Sequence, residues 1–264
     1  MKKQDLEQLK AWFSDHVAGF YGDDKFVNDH IKLKEVHTDG VCAEMNELTE
    51  KLGLDENDRL IAETIALLHD VGRFTQFKIY NTYSDAKSGD HAQFSLDIIR
   101  QNDLLDKLPT DEQRIIKTAI KLHSQKNIPT DLDAAIVPFA KLIRDADKLD
   151  IYPLLISNYE LYHANPDDYP LEVELPNEPH YCPEIFDHIL NGRLVDYHKL
   201  KTINDAIILK IGWVHDINFP AALEKIRENR YIDELFKLLP ENEDMKKLRT
   251  AIFKYIDERI AAGI

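Results

Sequence analysis

The sequence predicts an all-α protein. Only 9 of its 264 residues are glycine, and apolar side chains recur at the three- and four-residue spacing that marks one face of a helix. The sequence shows no convincing run of alternating apolar and polar residues, as half-buried strands would give, and no internal repeat. With 44% apolar residues the chain can bury a substantial core. Helices packed on helices are therefore the expected architecture.

Two long amphipathic helices open the predicted fold. The first covers residues 4–21 and the second residues 26–52, where Gly53 supplies the expected C-terminal stop. A third helix begins after Asp55 and carries His69 near its end. The second helix has one continuous face, because the following residues occur at positions i, i+4, i+8, i+12 and i+15: Leu33, His37, Val41, Met45 and Leu48.

Residues 74–90 interrupt this pattern and are predicted to form an irregular loop. A loop of that length inside a compact domain is often functional. Three helices follow, at about 90–103, 110–124 and 132–152. Thr110, with Gln113 three residues later, indicates a capping box at the start of the second of these.

Residues 164–185 are rich in Pro, Asp, Glu and Tyr and predict a second long loop, acting as a lid or a domain boundary. Helices are predicted beyond it at about 183–192, 198–218, 220–239 and 242–261. We expect these helices to pack on the N-terminal part or on another subunit, so the sequence is compatible with a homo-oligomer. A separate C-terminal domain is the alternative.

The composition limits the partners and the compartment. The formal net charge of −15 disfavours extended nucleic-acid binding, although a pocket with cations can still accept a small phosphorylated molecule. The sequence has no apolar run of 18 residues, so no membrane span is expected. Its two cysteines lie far apart, and the N-terminus lacks the apolar segment of a signal peptide. A reducing, cytoplasmic location is therefore predicted.

The segment from Thr64 to Phe74 carries the most specific signal. An apolar run that resembles a buried helix ends in adjacent His69 and Asp70, followed by Gly72 and Arg73. A buried carboxylate is costly unless it is paired or binds a metal ion. On an ideal helix, neighbouring residues point about 100° apart. Both side chains can therefore serve one centre only near a helix end or a distortion, and Gly72 is well placed to allow it.

Four further residues suit the same centre. His37 precedes the pair, and His91, His123 and Asp147 follow it. All the proposed ligands except His91 lie late on their predicted helices, on apolar stripes. Helix ends that converge their His and Asp side chains are one way in which helical bundles build dinuclear metal sites.

The ordered series His…His-Asp…His…His…Asp resembles the HD-domain superfamily of metal-dependent phosphohydrolases. The resemblance covers roughly residues 25–155, and its most specific parts are Leu67–Arg73 and Asp145–Asp150. It implies a single HD-type domain over residues 1–264. The metal-binding core would lie at about 25–155 and a helical extension at about 156–264.

The resemblance also implies the metal ligands. One ion would be held by His37, His69, Asp70 and Asp147. A second would be held by His91 and His123, with Asp70 shared between both ions. Imidazole and carboxylate ligands suit Fe, Mn, Zn, Co or Ni, and Mg is disfavoured.

The implied reaction is hydrolysis of a phosphomonoester or phosphodiester by a metal-bound hydroxide. The substrate would be a small phosphorylated molecule, by family habit a nucleotide. Asp70 and Arg73 are the predicted catalytic residues. Arg73 occupies a position where many members carry Lys, and it would grip the substrate phosphate. Lys148 and Lys87 are further candidates for that role.

Other interpretations stay open at this point. One branch of the superfamily uses a similar ligand set around two irons to oxidise substrates with O₂. A non-catalytic sensor would keep the ligands for stability or recognition. His91 and His123 could also be ordinary histidines, leaving a mononuclear site. The second His-Asp pair, His215-Asp216, lies outside the resemblance and is interpreted as structural or pocket-lining.

Overall fold

The computed structural model describes residues 1–165 and 175–263. Within these ranges the chain forms helices and turns without a β-strand, which confirms the all-α prediction. The predicted loop at 164–185 falls partly outside the described residues, at 166–174. Across the described ranges, no helix combines the length and apolar character needed to span a membrane.

The chain divides into two compact units, Met1–Asp150 and Ile151–Ile264. The single domain expected over residues 1–264 stays a prediction. The first unit holds the helices α1 to α7 and the first half of α8. Their bounds are α1 Lys3–Ala18, α2 Lys25–Lys51, α3 Glu56–Leu68, α4 Gly72–Tyr80, α5 Asp85–Ser88, α6 His91–Gln101, α7 Thr110–Leu122 and α8 Val137–Ala164.

The core of the first unit surrounds α3. From Thr64 to Leu68 every residue of this helix is buried, and α2, which buries Val41 and Met45, packs against it. Asp55 caps its N-terminus by accepting a hydrogen bond from the Asp58 amide. The helix stops at His69, so the His-Asp pair stands at a helix end, as its chemistry requires.

Two local predictions in this unit were wrong. Residues 74–80 are helical, because α4 buries Phe74 and Phe77 on one side before Asn81 ends it in the left-handed conformation. The capping box at Thr110 is absent. Pro109 precedes the first turn of α7, and Gln113 donates to the Leu108 carbonyl instead.

Gly72 allows α4 and α6 to approach closely. A Cβ atom at this position would lie 2.4 Å from the Ser95 amide nitrogen and 2.7 Å from the His91 carbonyl oxygen. The Gly72 amide donates to Ser95 Oγ, and that hydroxyl donates to the His69 carbonyl. The turn that carries Asp70 is thereby fixed to the start of α6.

The second unit contains α9 Pro183–Leu190, α10 Ile203–Gly212, α11 Pro220–Glu228, α12 Tyr231–Lys237 and α13 Glu243–Ala262. The helix predicted at 220–239 is broken, because Arg230 adopts the left-handed conformation between α11 and α12. His215 lies in a short 3₁₀ turn beside Tyr255. It lines a pocket together with Gly192, Ile252 and Tyr255.

Candidate metal centre

Six side chains from five segments of the first unit converge on one point. His69 and His123 are the residues that directly follow α3 and α7. His91 begins α6, and Asp70 occupies the turn before α4. His37 and Asp147 lie within α2 and α8. The structure therefore brings together all six predicted ligands, which are His37, His69, Asp70, His91, His123 and Asp147.

Asp70 stands between two groups of histidines. Its Oδ2 atom lies 3.7 Å from His37 Nε2 and 3.9 Å from His69 Nε2. Its Oδ1 atom lies 3.7 Å from His91 Nε2 and 3.8 Å from His123 Nε2. Within each group the donor atoms lie no more than 4.8 Å from one another. The arrangement suits two cations that share one carboxylate.

Asp147 joins the first of these groups. Its Oδ1 atom is 3.2 Å from His37 Nε2 and 3.9 Å from His69 Nε2. The first group therefore offers two imidazoles and two carboxylates, whereas the second offers two imidazoles and the shared Asp70. The two halves of the centre differ in charge as well as in position.

The four imidazoles are anchored through the same nitrogen. His69 Nδ1 lies 2.8 Å from the Ala66 carbonyl oxygen, and His123 Nδ1 lies 2.7 Å from that of Ile120. A carbonyl only accepts, so each Nδ1 carries the proton. The Nε2 lone pairs then face the centre, as metal ligands do.

Carboxylates anchor the other two imidazoles. Asp150 lies 2.6 Å from His37 Nδ1, and Asp85 lies 2.5 Å from His91 Nδ1. The sequence analysis did not identify either carboxylate. Asp150 had a usable signal, because it follows Asp147 by three residues and so shares its helix face. Asp85 had none, since its position depends on the path of the chain after α4.

The donor set fits a cation. His91 Nε2 and His123 Nε2 lie 2.9 Å apart, and with both Nδ1 atoms protonated neither Nε2 has a hydrogen to donate. His69 Nε2 and Asp70 Oδ1 are buried without a hydrogen-bond partner. Buried polar atoms are rarely left unpaired, and a bound ion is one recognised reason for an exception. These orphaned atoms are the ones that metal ions would contact.

Electrostatics favour the metal-binding protonation states. Burial lowers the pKa of His123 to about 3, and the neighbouring imidazoles of His91 and His69 add to that effect. Burial also lowers the pKa of His69. Burial opposes ionisation of Asp70, but Lys34, Arg73 and the imidazoles together hold its pKa well below its usual range. Neutral imidazole and ionised carboxylate are the forms that bind metals.

His37 and Asp147 form a coupled pair. Burial and Lys34 act to lower the pKa of His37, but hydrogen bonds to Asp147 and Asp150 outweigh them and raise it. Burial acts to raise the pKa of Asp147, yet the His37 contact and the other imidazoles hold it below its usual range. Asp147 therefore stays ionised, whereas a proton bound to His37 Nε2 has to leave before that nitrogen can bind a metal ion.

Lys34 is a cation at the centre that the sequence analysis missed. Its Nζ atom lies 3.0 Å from Asp70 Oδ2, and its side chain is only 16% exposed. Lys34 precedes His37 by one helical turn, so helical spacing could have identified it. Arg73 also contacts Asp70, with 3.4 Å between Nε and Oδ1.

The other predicted phosphate-binding cations are placed differently. Arg73 directs its Nη1 atom towards Gln76, Asp85 and the Tyr83 carbonyl. Lys148 is buried and donates to the Arg144 carbonyl within α8. Lys87 is exposed on α5. Their roles in substrate binding stay predictions.

A comparison with protein families identifies the central part of the chain. Residues 36–152 match the family model of the HD domain, and this range contains all six convergent side chains. Searches among curated proteins and among solved structures give no match. This match confirms the resemblance to the HD-domain superfamily over residues 36–152.

Proposed function

We propose that this protein is a metal-dependent phosphohydrolase acting on a small phosphorylated substrate, with nucleotides as the first class to test. The superfamily is one of metal-dependent phosphohydrolases. The single observation that carries the proposal is the position of Asp70, with one carboxylate oxygen facing each pair of histidines. Such sharing suits a dinuclear centre.

The chain provides ligands for two divalent ions. His37, His69, Asp70 and Asp147 would hold one, and His91, His123 and Asp70 the other. When bound, such ions lower the pKa of a water molecule and stabilise the charge that develops on a phosphoryl group during in-line displacement. The protein fixes the ligands before binding, because all four Nδ1 atoms are already anchored.

Lys34 and Arg73 support a phosphate ester as the substrate. Both place a cationic group within 3.4 Å of an Asp70 oxygen, at the edge of the centre. Their positive charge would attract and orient the non-bridging phosphate oxygens. Arg73 Nη1 already has three acceptors, so we assign the leading role in phosphate binding to Lys34. Its replacement by Met is expected to raise KM more than it lowers kcat.

The negative net charge of the chain favours a small substrate over a polymeric one. The chain has a formal net charge of −15, which repels a polynucleotide backbone over most of the surface. A nucleotide or another small ester needs positive potential only at the centre. We therefore expect mononucleotides or dinucleotides to be hydrolysed in preference to polymeric DNA or RNA.

Hydrolysis by the metal-loaded protein tests the proposal. Phosphate release would be measured from a panel of nucleotides with Mn²⁺, Co²⁺, Ni²⁺, Zn²⁺ or Fe²⁺, for the wild type and for Asp70→Asn. Asp97→Asn is the matched control, because this half-buried carboxylate on α6 contacts Arg100 and Gln93, away from the centre. Asp70→Asn should lose more than the roughly 10–100-fold that removal of an outer-sphere partner costs. Equal activity in both variants would contradict the proposal.

Dioxygen chemistry is the competing function, since the same imidazole and carboxylate donors also suit iron. Metal content would be determined on protein purified without added metal, and O₂ uptake would be followed with candidate substrates. Stoichiometric O₂ consumption by the iron-loaded protein, together with no phosphate release for any metal, would replace the hydrolase proposal with an oxygenase.

A further inference from the structure

The two halves of the metal centre are supported in different ways. His37 and its partner Asp150 both lie on long helices, α2 and α8. Gly40 allows these helices to come together, because a Cβ there would fall on the Asp150 carboxylate. His91, by contrast, takes its partner Asp85 from the four-residue helix α5, within the connection between α4 and α6.

Polar contacts hold the α5 connection in place. Arg73 Nη1 lies 3.0 Å from Asp85 Oδ1 and 2.6 Å from the Tyr83 carbonyl oxygen. Gln76 Nε2 donates to the same Asp85 oxygen and to Ser88 Oγ, at 3.0 and 2.7 Å. Gln76 is fully buried. Asp85 is thus bound on one oxygen by Arg73 and Gln76 and on the other by His91.

Helix α5 has little apolar anchoring. None of its residues is buried, and the Asp85 side chain is 39% exposed whereas that of His91 is 6% exposed. Segments with few buried apolar groups and exposed hydrogen bonds open at lower free energy than the core. We therefore expect Asp85–Ser88 to separate from His91 at a lower free energy than α2, α3 and α8 unfold.

We propose that Asp85 is the positioning residue for His91 and makes occupancy of the second metal half-site depend on closure of the α5 connection. The proposal rests on the dinuclear centre of the proposed function. Asp85 fixes the tautomer and orientation of the imidazole and raises its basicity as a ligand. The half-site of His91 and His123 then binds its ion more weakly than the half-site of His37, His69 and Asp147, and it exchanges that ion when α5 opens.

Calorimetric titration of the chelator-treated protein with Mn²⁺ tests this inference. The wild type should bind two ions with different affinities. Asp85→Ala should lower the affinity for the second ion by about tenfold or more and leave the affinity for the first ion unchanged. Asp85→Asn keeps an acceptor oxygen, so its affinity for the second ion should lie between those of the wild type and Asp85→Ala. Asp97→Asn is the control, since it removes a carboxylate of similar exposure, 35%, from α6 without contact to the centre.

Hydrogen exchange gives a second readout. Amides of residues 82–89 should exchange more slowly once the second ion is bound to the wild type, and this slowing should be lost in Asp85→Ala. Two ions of unchanged affinity in Asp85→Ala would overturn the inference, as would loss of both ions together. A wild type that binds one ion would overturn it as well. Hydrolysis is not measured here, so a failure of the hydrolase proposal would leave these results interpretable.

Discussion

Each of the four imidazoles presents the same nitrogen to the centre, and the cause lies in what holds the other nitrogen. Two Nδ1 atoms meet the carbonyls of Ala66 and Ile120, three residues before their own histidines. These carbonyls lie in the last turns of α3 and α7, where the amide four residues further on no longer belongs to the helix. The Ile120 carbonyl also accepts a 3.4 Å hydrogen bond from the His123 amide. A histidine directly after a helix can satisfy such a carbonyl and still direct Nε2 outward. The helix ends therefore select the ligand tautomer.

Gly40→Ala tests whether metal binding by His37 depends on the position of the Asp150 carboxylate. The new Cβ would lie 1.8 Å from Asp150 Oδ1, so the carboxylate has to rotate away from His37. Because the clash is with a side-chain end, the fold should survive while affinity for the first metal ion falls by about 10–100-fold. Mn²⁺ titration and a urea unfolding curve would measure the two effects.

A double-mutant cycle isolates the cause of that loss. If the methyl group acts only by displacing the carboxylate, the double variant Gly40→Ala/Asp150→Ala should bind Mn²⁺ as well as Asp150→Ala alone. Additive losses in the cycle would show that Gly40 has another role and would contradict this explanation.

His16 predicts a pH dependence of stability away from the metal centre. Its ring stacks on Trp12, and its Nε2 atom is buried without a hydrogen-bond partner. Burial lowers the pKa of His16 in the folded protein, whereas the unfolded residue titrates near its ordinary value of about 6.5. The unfolded state then binds more protons, so stability is complete above that value and is lost as the pH falls below it.

The measurement is the free energy of unfolding at pH 8 and pH 5.5. The wild type should lose more stability between these values than His16→Gln, because the variant lacks this titrating group and keeps the others. An equal loss in both proteins would show that His16 makes no contribution.

At the scale of elements, helical spacing accounts for what the sequence could predict about the site. His37 and Asp147 lie within α2 and α8, and His69 and His123 directly follow α3 and α7. All four share helix faces with buried apolar residues, so their convergence could be inferred from the sequence. The segment after α4 could not be placed. Phe74 and Phe77 extend a helix into it, and the position of Asp85 follows from hydrogen bonds to Arg73 and Gln76 rather than from periodicity.

Gly72 shows the same limit. Its place after the His-Asp pair indicated a need for conformational freedom, but its backbone is helical and lies within α4. The requirement comes from packing, because α6 leaves no space for a side chain there. Packing against a partner helix cannot be read from the residue's own neighbours in sequence.

Gly72→Ala should therefore destabilise the first unit. The atoms that a Cβ would meet are backbone atoms of α6, at 2.4 to 2.7 Å, so the two helices have to separate. Overpacking of this kind typically costs about 1–3 kcal/mol. Urea unfolding would measure it, with Gly22→Ala as the control because nothing lies within 4 Å of a Cβ at Gly22. Equal stability of the two variants would refute the packing argument.

At the scale of the whole molecule, the six proposed metal ligands all belong to the unit Met1–Asp150. Four carboxylates surround the centre, at Asp70, Asp85, Asp147 and Asp150, and Lys34 and Arg73 form ion pairs with the first two of them. Excess buried negative charge costs free energy until cations offset it. Metal binding should therefore act on stability as well as on chemistry.

Metal removal gives the corresponding prediction. Ions that bind the folded protein and not the unfolded chain stabilise it by about 2.7 kcal/mol per site when their free concentration is 100 times Kd. Thermal and urea unfolding with excess EDTA or with Mn²⁺ would measure the gain, and hydrogen exchange should place it within Met1–Asp150. Asp70→Asn should lose most of the metal-induced stabilisation, because Asp70 contributes to both half-sites. His123→Ala should lose only the stabilisation that comes from the second half-site. A gain of equal size in the wild type and Asp70→Asn would mean that Mn²⁺ stabilises the chain elsewhere, and the six converging side chains would no longer be its binding site.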